Sequence, residues 1–475
     1  MRTQSTRVAV PSARRSLRRT MRCLVLLLPF LCVAAAQRPE LNEFKEVYMW
    51  NQFDFKWPDE SARLRALSDA RFQPVNCALS GIRAWRDRLY VTVPRLLPGV
   101  PATLASLPAA APPAAYSPPL DPFPSWDMQA VGNCTALQYV QSVEIDAAGR
   151  MWVPDSGRVN TQSGNADARC PPKLLVIDVE SGRVQRTVQF EPGLLAPDSL
   201  LADVVVGDDD VAYVSDASPS DPGIVVVSAR DSRAWKVRDR TMRADSTFVQ
   251  VGQRRTELRH NVFALALSPR PRAGPRRLFY SPLSSYDLFS LPADALAAPG
   301  VAVSALVRNH GRMQSPVQAA AADWHGNLYL GYLQQDAVAR WDSSQPLAQA
   351  RLLTQDPERL QWISSLAVDA DRNLWVVSNR LQNFMAGTVN QQTPNYRVIR
   401  AFVDAKSYLY SDDAWTPQQG SAFTVPGAAA TTRSSTSSFV TTTTVPPHAD
   451  GGASAPAVTV LLYSLLLLPM LVVLA

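Results

Sequence analysis

The chain has 475 residues, 19% of them charged, and a formal net charge of +6. The excess sits at one end: residues 1–36 carry seven Arg and no acid, leaving 40 basic against 41 acidic residues in the remainder. A balanced body without a basic patch excludes nucleic acid as an expected partner, and five Cys with no CxxC or Cys/His cluster exclude a zinc site. At the N-terminus, Arg14, Arg15, Arg18, Arg19 and Arg22 precede the apolar run CLVLLLPFLCVAAA. This pattern predicts a signal peptide over residues 1–36, with Met21 as a more compact start. The run is shorter than the roughly 20 residues a membrane span needs.

Residues 37 to about 70 are expected to supply a strand that joins the last sheet and closes a ring. After them one unit recurs. An apolar strand (GIRAW, VQSVEID, LADVVVG, VFALALS, VQAAAAD, ISSLAVD) leads into a polar turn, then a second strand built on an aromatic residue. The aromatics are Tyr90, Trp152, Tyr213, Tyr280, Tyr329 and Trp375, spaced 46 to 67 residues apart. A third strand often follows, as in KLLVIDV, GIVVVSA and AVARWD. In three units an Asp (Asp146, Asp323, Asp369) stands six residues before the aromatic. It reads as a turn residue that bonds loop backbone, and the aromatic reads as an apolar wedge between sheets.

One small antiparallel sheet cannot bury both faces, whereas six stacked radially can. The fold class is therefore all-β, a six-bladed β-propeller over residues 37–425 with long inter-strand insertions. The proline-rich stretch 94–126 is expected to lie outside the ladders. Residues 426–457 read as a Ser/Thr/Pro-rich stalk. Residues 458–475 form an apolar tail, read as a signal for attachment of a GPI lipid anchor, with a single-pass anchor as the alternative. The expected location is extracellular, with membrane contact only through that tail or lipid.

Several stretches carry a resemblance: FKEVYMWNQFDFKWP, LYVTVPRLLPGVPATL, GRMWVPDSGRVN, CPPKLLVIDVESGRV, LFYSPLSSYDLF and LWVVSNRLQNF. With them the chain resembles the Yellow/major royal jelly protein family of insects over nearly all of its body. NCTALQYVQSVEID is nearer the subgroup of Yellow-e, Yellow-d and Yellow-h. Beyond the signal only Cys77, Cys134 and Cys170 remain, so one disulfide can form at most. Ala147 stands where many members have Cys. Cys77 and Cys134 fall at similar points of adjacent repeats and are expected to pair, with Cys134–Cys170 as the alternative. Asn133-Cys134-Thr135 is an N-glycosylation sequon.

No GxSxG, HExxH, P-loop or GxGxxG motif is present, so no cofactor or metal is expected. Ser156-Gly157 lacks the flanks of a hydrolase nucleophile. His310 and His325 read as loop residues. In a propeller, ligands sit where the innermost strands begin. The polar residues there are Ser80, Gln138, Gln141, Asp203, His260, Asn261, Gln318, Ser364 and Ser365, with Asn379 and Phe384 close to the same mouth. From these, Gln141, Asp203, His260, Asn261, Gln318, Ser364, Asn379 and Phe384 are the expected ligand-binding set. Polar groups among aromatic faces suit a small aromatic amine. The resemblance implies biogenic-amine binding or dopachrome conversion, with His260 or Asp203 as the candidate base in the second case. A structural protein of cuticle or eggshell, with no small-molecule site, is the third reading.

Overall fold

A computed structural model describes residues 41–110, 117–271 and 274–410. The expected signal peptide, stalk and tail lie outside the described residues.

Six four-stranded antiparallel sheets make six blades. Their innermost strands are Ile82–Trp85, Glu144–Ile145, Leu201–Val206, Val262–Leu267, Val317–Ala322 and Ile363–Val368. In the sixth blade the outer strand is Lys45–Trp50, paired antiparallel with Tyr396–Phe402. The chain's first described strand thus completes its last sheet, as the sequence suggested. All six repeat aromatics are at most 7% exposed, and burial of each contributes roughly 1.5–3 kcal/mol.

The repeated Asp and the aromatic act together. Asp369 Oδ1 accepts from the backbone N–H groups of Asp371 and Asn373, and its Oδ2 accepts from Trp375 Nε1 at 2.7 Å. Asp146 holds Trp152 Nε1 at 3.0 Å, and Asp323 holds Tyr329 Oη at 3.0 Å. The same carboxylate therefore ties the turn and anchors the polar edge of the wedge, which gives the six-residue spacing its cause.

Three expectations are corrected. The stretch 94–126 supplies the third and fourth strands of the first blade, Leu104–Pro108 and Asp121–Pro122. Pro108 ends its strand and Pro122 lies on the outer strand, where a missing N–H is tolerated. His310 lies in the strand Arg308–Arg312, between the rings of Phe279 and Trp341. The disulfide joins Cys134 to Cys170, whose Cα atoms are 5.0 Å apart, and Cys77 is free and buried. Repeat equivalence puts Cys77 and Cys134 in adjacent blades, whereas a disulfide needs Cα atoms within about 7 Å. The loop around the second blade's sheet meets that limit with Cys170. There Gly157 (φ 71°) lies against the Cys170 carbonyl, which an added Cβ would approach to 2.2 Å. Close backbone approach thus explains the Ser156-Gly157 pair.

Candidate functional site

The loops entering the innermost strands converge on one mouth of the central channel. Its small cavity is walled by Tyr139, Phe263 and Trp362 among others. Two features of the chain hold the aromatic wall. Asp155 ends the second strand of its blade, and its carboxylate accepts from the backbone N–H of Gln138 at 2.8 Å and of Tyr139 at 2.9 Å. Lys173 Nζ neutralises it at 2.9 Å, with both side chains almost wholly buried. Trp362 has φ 55°, a left-handed conformation that is strained for a bulky side chain. Its Nε1 donates to Gln318 Oε1 at 2.6 Å.

The expected residues are sorted by depth. Gln141, His260, Gln318 and Asn379 line the mouth. Asp203 and Ser364 line a narrower space below it, with Ser142 and Ser365. Asn261 points elsewhere: its side chain accepts from Ala244 N and donates to the Ser218 carbonyl, pinning the loop that precedes the fourth blade. Phe384 packs in the core formed by the first and last blades. Asn133 is exposed, with Oδ1 accepting from Thr135 Oγ1 at 2.8 Å.

Much of the polar equipment is already paired. Tyr139 Oη donates to Gln141 Oε1, and Gln141 Nε2 donates to Ser80 Oγ at 2.6 Å. Ser364 Oγ donates to the Ser80 carbonyl at 2.8 Å. This belt crosses three blades and forms a preorganised floor. His260 differs: its Nδ1 is buried without a protein partner. Burial pushes its pKa down to about 4, so the ring is neutral at pH 7 and can accept a hydrogen bond. Among the described residues lining the mouth there is no carboxylate.

Below the floor the chemistry changes. Arg83 Nε meets Glu144 Oε1 at 2.8 Å, and its Nη2 lies 3.9 Å from Asp203 Oδ1. Asp203 also accepts from Ser142 Oγ and from the N–H groups of Val204 and Leu265. Burial raises its pKa to about 6. Tyr408 lines the channel's far end: its hydroxyl accepts from Val206 N at 3.0 Å and donates to Glu144 Oε2 at 3.4 Å. Asp203 therefore lies too deep to touch a molecule seated in the mouth unless the floor opens.

Fold and site define a six-bladed propeller whose channel has an aromatic, carboxylate-free lining at one end and a charged lining at the other among the described residues. The chain belongs to the Major royal jelly protein family, whose model matches residues 138–408. It is 28% identical over 413 residues to a protein named dopaminechrome tautomerase from Drosophila melanogaster, a match covering 81% of this chain and 88% of that one. It is 25% identical over 397 residues to protein yellow from Drosophila madeirensis, covering 79% and 68%. Among solved structures, the aldose sugar dehydrogenase of Streptomyces coelicolor in its PQQ-bound form aligns with TM-score 0.42 and 11% identity, over 76% of this chain and 99% of that one.

Proposed function

We propose that the protein binds a small, flat aromatic molecule of the catecholamine class in the channel mouth. The observation that carries this reading is the wall of Tyr139, Phe263 and Trp362 around unpaired His260 Nδ1. Ring faces supply the contact area, and the imidazole and spare amide hydrogens of Gln141, Gln318 and Asn379 supply orientation. A mouth lined by no carboxylate favours a ring without an exposed ammonium over a free amine, because a buried cation needs a partner. The leader-like N-terminus and the Cys134–Cys170 disulfide support an exported protein acting in this role.

A second reading, conversion of an aminochrome by proton shift, rests on the position of the unpartnered His260 Nδ1 in the mouth. Such an isomerisation needs a base to take a proton from carbon and return one to oxygen. The relative named dopaminechrome tautomerase is consistent with it. Calorimetric titration of the chain with dopamine, serotonin and dopaminechrome tests both readings. Saturable heat is expected with at least one of them, strongest with dopaminechrome; heat from none would sink the binding site. Dopaminechrome turnover that is lost in His260→Gln, with binding weakened by no more than about tenfold, would establish the second reading over the first.

A further inference from the structure

A second cavity lies outside the channel. A surface groove of about 1080 Å³, part of it open solvent, runs between the helix Glu60–Ser68, the first-blade turn at Pro98–Pro101 and the segment from Trp126 to Val131. Trp57 and Trp126 stack in its wall, with centroids 4.7 Å apart and an interplanar angle of 26°. Their indole N–H groups are already engaged, by Asp54 Oδ1 at 2.9 Å and the Lys56 carbonyl at 3.1 Å. What they offer a ligand is therefore ring surface. Val131, 56% exposed, extends the apolar lip.

The charged side chains among the described residues lining the groove are both cationic. Arg95 lies in its wall at 2% exposure. Its guanidinium donates only to backbone carbonyls, those of Val100, Leu137, Gln138, Pro101 and Gln129. Asp155, whose charge reaches it, is already paired with Lys173. Arg95 is thus a buried cation hydrogen-bonded but without a carboxylate of its own, and its field extends into the groove. Arg71 adds a second guanidinium at the rim. Its contact with Asp69, at 3.0 Å between side chains 64% and 56% exposed, is of a kind that contributes little and exchanges easily. Among the described residues lining the groove there is no Asp or Glu.

We propose that this groove is a second ligand site, separate from the channel, for an aromatic carboxylate. The ring lies along the Trp57–Trp126 wall, and the carboxylate reaches Arg71 in the positive field of Arg95. The pairing follows from charge complementarity plus aromatic surface: a cationic ring would meet Arg95 unfavourably, and a small anion would leave the tryptophan wall unused.

The test is calorimetric titration of the full chain with 2-naphthoate, with 2-naphthylmethylamine as the cationic counterpart. Saturable 1:1 binding of the carboxylate is expected, with little or none of the amine. Arg71→Glu should weaken it by about tenfold or more, and Arg71→Lys by less. Since Arg71 is exposed, both variants should keep the parent's thermal midpoint. His260→Leu should leave the naphthoate isotherm unchanged, which keeps this result independent of the channel. The proposal is overturned if naphthoate shows no saturable binding at about 1 mM, if the amine binds as well, if Arg71→Glu binds like the parent, or if His260→Leu abolishes the signal.

Discussion

The two ends of the channel are built from the same six strands and have opposite chemistry. At the mouth the walls are aromatic, the polar groups are amides, hydroxyls and one neutral imidazole, and no carboxylate is among the described lining residues. At the far end Arg83, Glu144 and Asp203, from three successive blades, form a buried charge cluster under the Tyr408 cap. A neutral, partly unsatisfied end can accept a ligand without first breaking an ion pair. A charged, fully engaged end resists opening, because any separation leaves a bare charge in low dielectric. The difference separates an end with an unsatisfied imidazole from one whose buried charges tie three blades together.

Breaking the far end should have the largest effect. Arg83→Met leaves two carboxylates without their cation, and equilibrium denaturation should show a loss of about 3–5 kcal/mol. Combining it with Glu144→Gln and Asp203→Asn should restore a good part of that loss. A single variant as stable as the parent would mean that the cluster does not hold the blades.

Removing only the hydroxyl of the cap, in Tyr408→Phe, deletes its bonds to Val206 N and Glu144. About 1–2 kcal/mol should disappear in the same measurement. Ligand titrations at the mouth should be unaffected, because the floor lies between. A shift in mouth affinity as large as that from a mouth substitution would merge the two ends into one site.

At the mouth, His260→Gln should weaken binding of the favoured aromatic by about tenfold, or about 1.4 kcal/mol, with little change in the denaturation midpoint. Calorimetry read beside denaturation separates these quantities. A large stability loss without an affinity change would recast His260 as a packing residue.

The smallest effect sharpens the contrast by pH. His260 has its pKa lowered from 6.5 to about 4, so the unfolded chain binds the proton first. Its contribution to stability is complete above about pH 6.5 and is lost as pH falls toward 4. Asp203 has its pKa raised from 3.8 to about 6, so the folded state keeps the proton longer. Its contribution is complete below about pH 4 and is lost as pH rises through 6. His310, also lowered to about 4 by burial and the nearby Arg308 and Arg277, adds to the first slope. Stability–pH profiles of His260→Gln and Asp203→Asn should therefore depart from the parent in opposite directions. Departures of the same sign would refute the assignment of the two ends.

The six repeats were plain because each blade needs an aromatic at the same place on its second strand. Even the spacing of Asp369 from Trp375 pointed to a turn, although its bond to the indole could not be read from it. At the mouth, Gln141, His260, Gln318 and Asn379 were visible as polar residues near strand starts. Trp362 and Tyr139 were not, because a buried aromatic looks the same in a sequence whether it fills a core or walls a cavity. The left-handed backbone at Trp362 and the carboxylate of Asp155 beneath Tyr139 make that distinction, and both depend on neighbours remote in the chain.

Asn261 and Phe384 show the reverse error. Each sits one or two residues from the mouth, yet strand alternation and a short helix turn their side chains into loop pinning and core. The choice of Cys170 as the partner of Cys134 was likewise spatial, since repeat position says nothing about which loops touch.

By itself the sequence determined the number of blades and the first two strands of each. Those follow from local periodicity and from the need to bury both faces of each sheet. Only the tertiary structure decided which residues meet at each end of the channel and that the buried guanidinium of Arg95 lies in the wall of a surface groove. These are properties of side-chain direction and distance, set by packing among segments hundreds of residues apart.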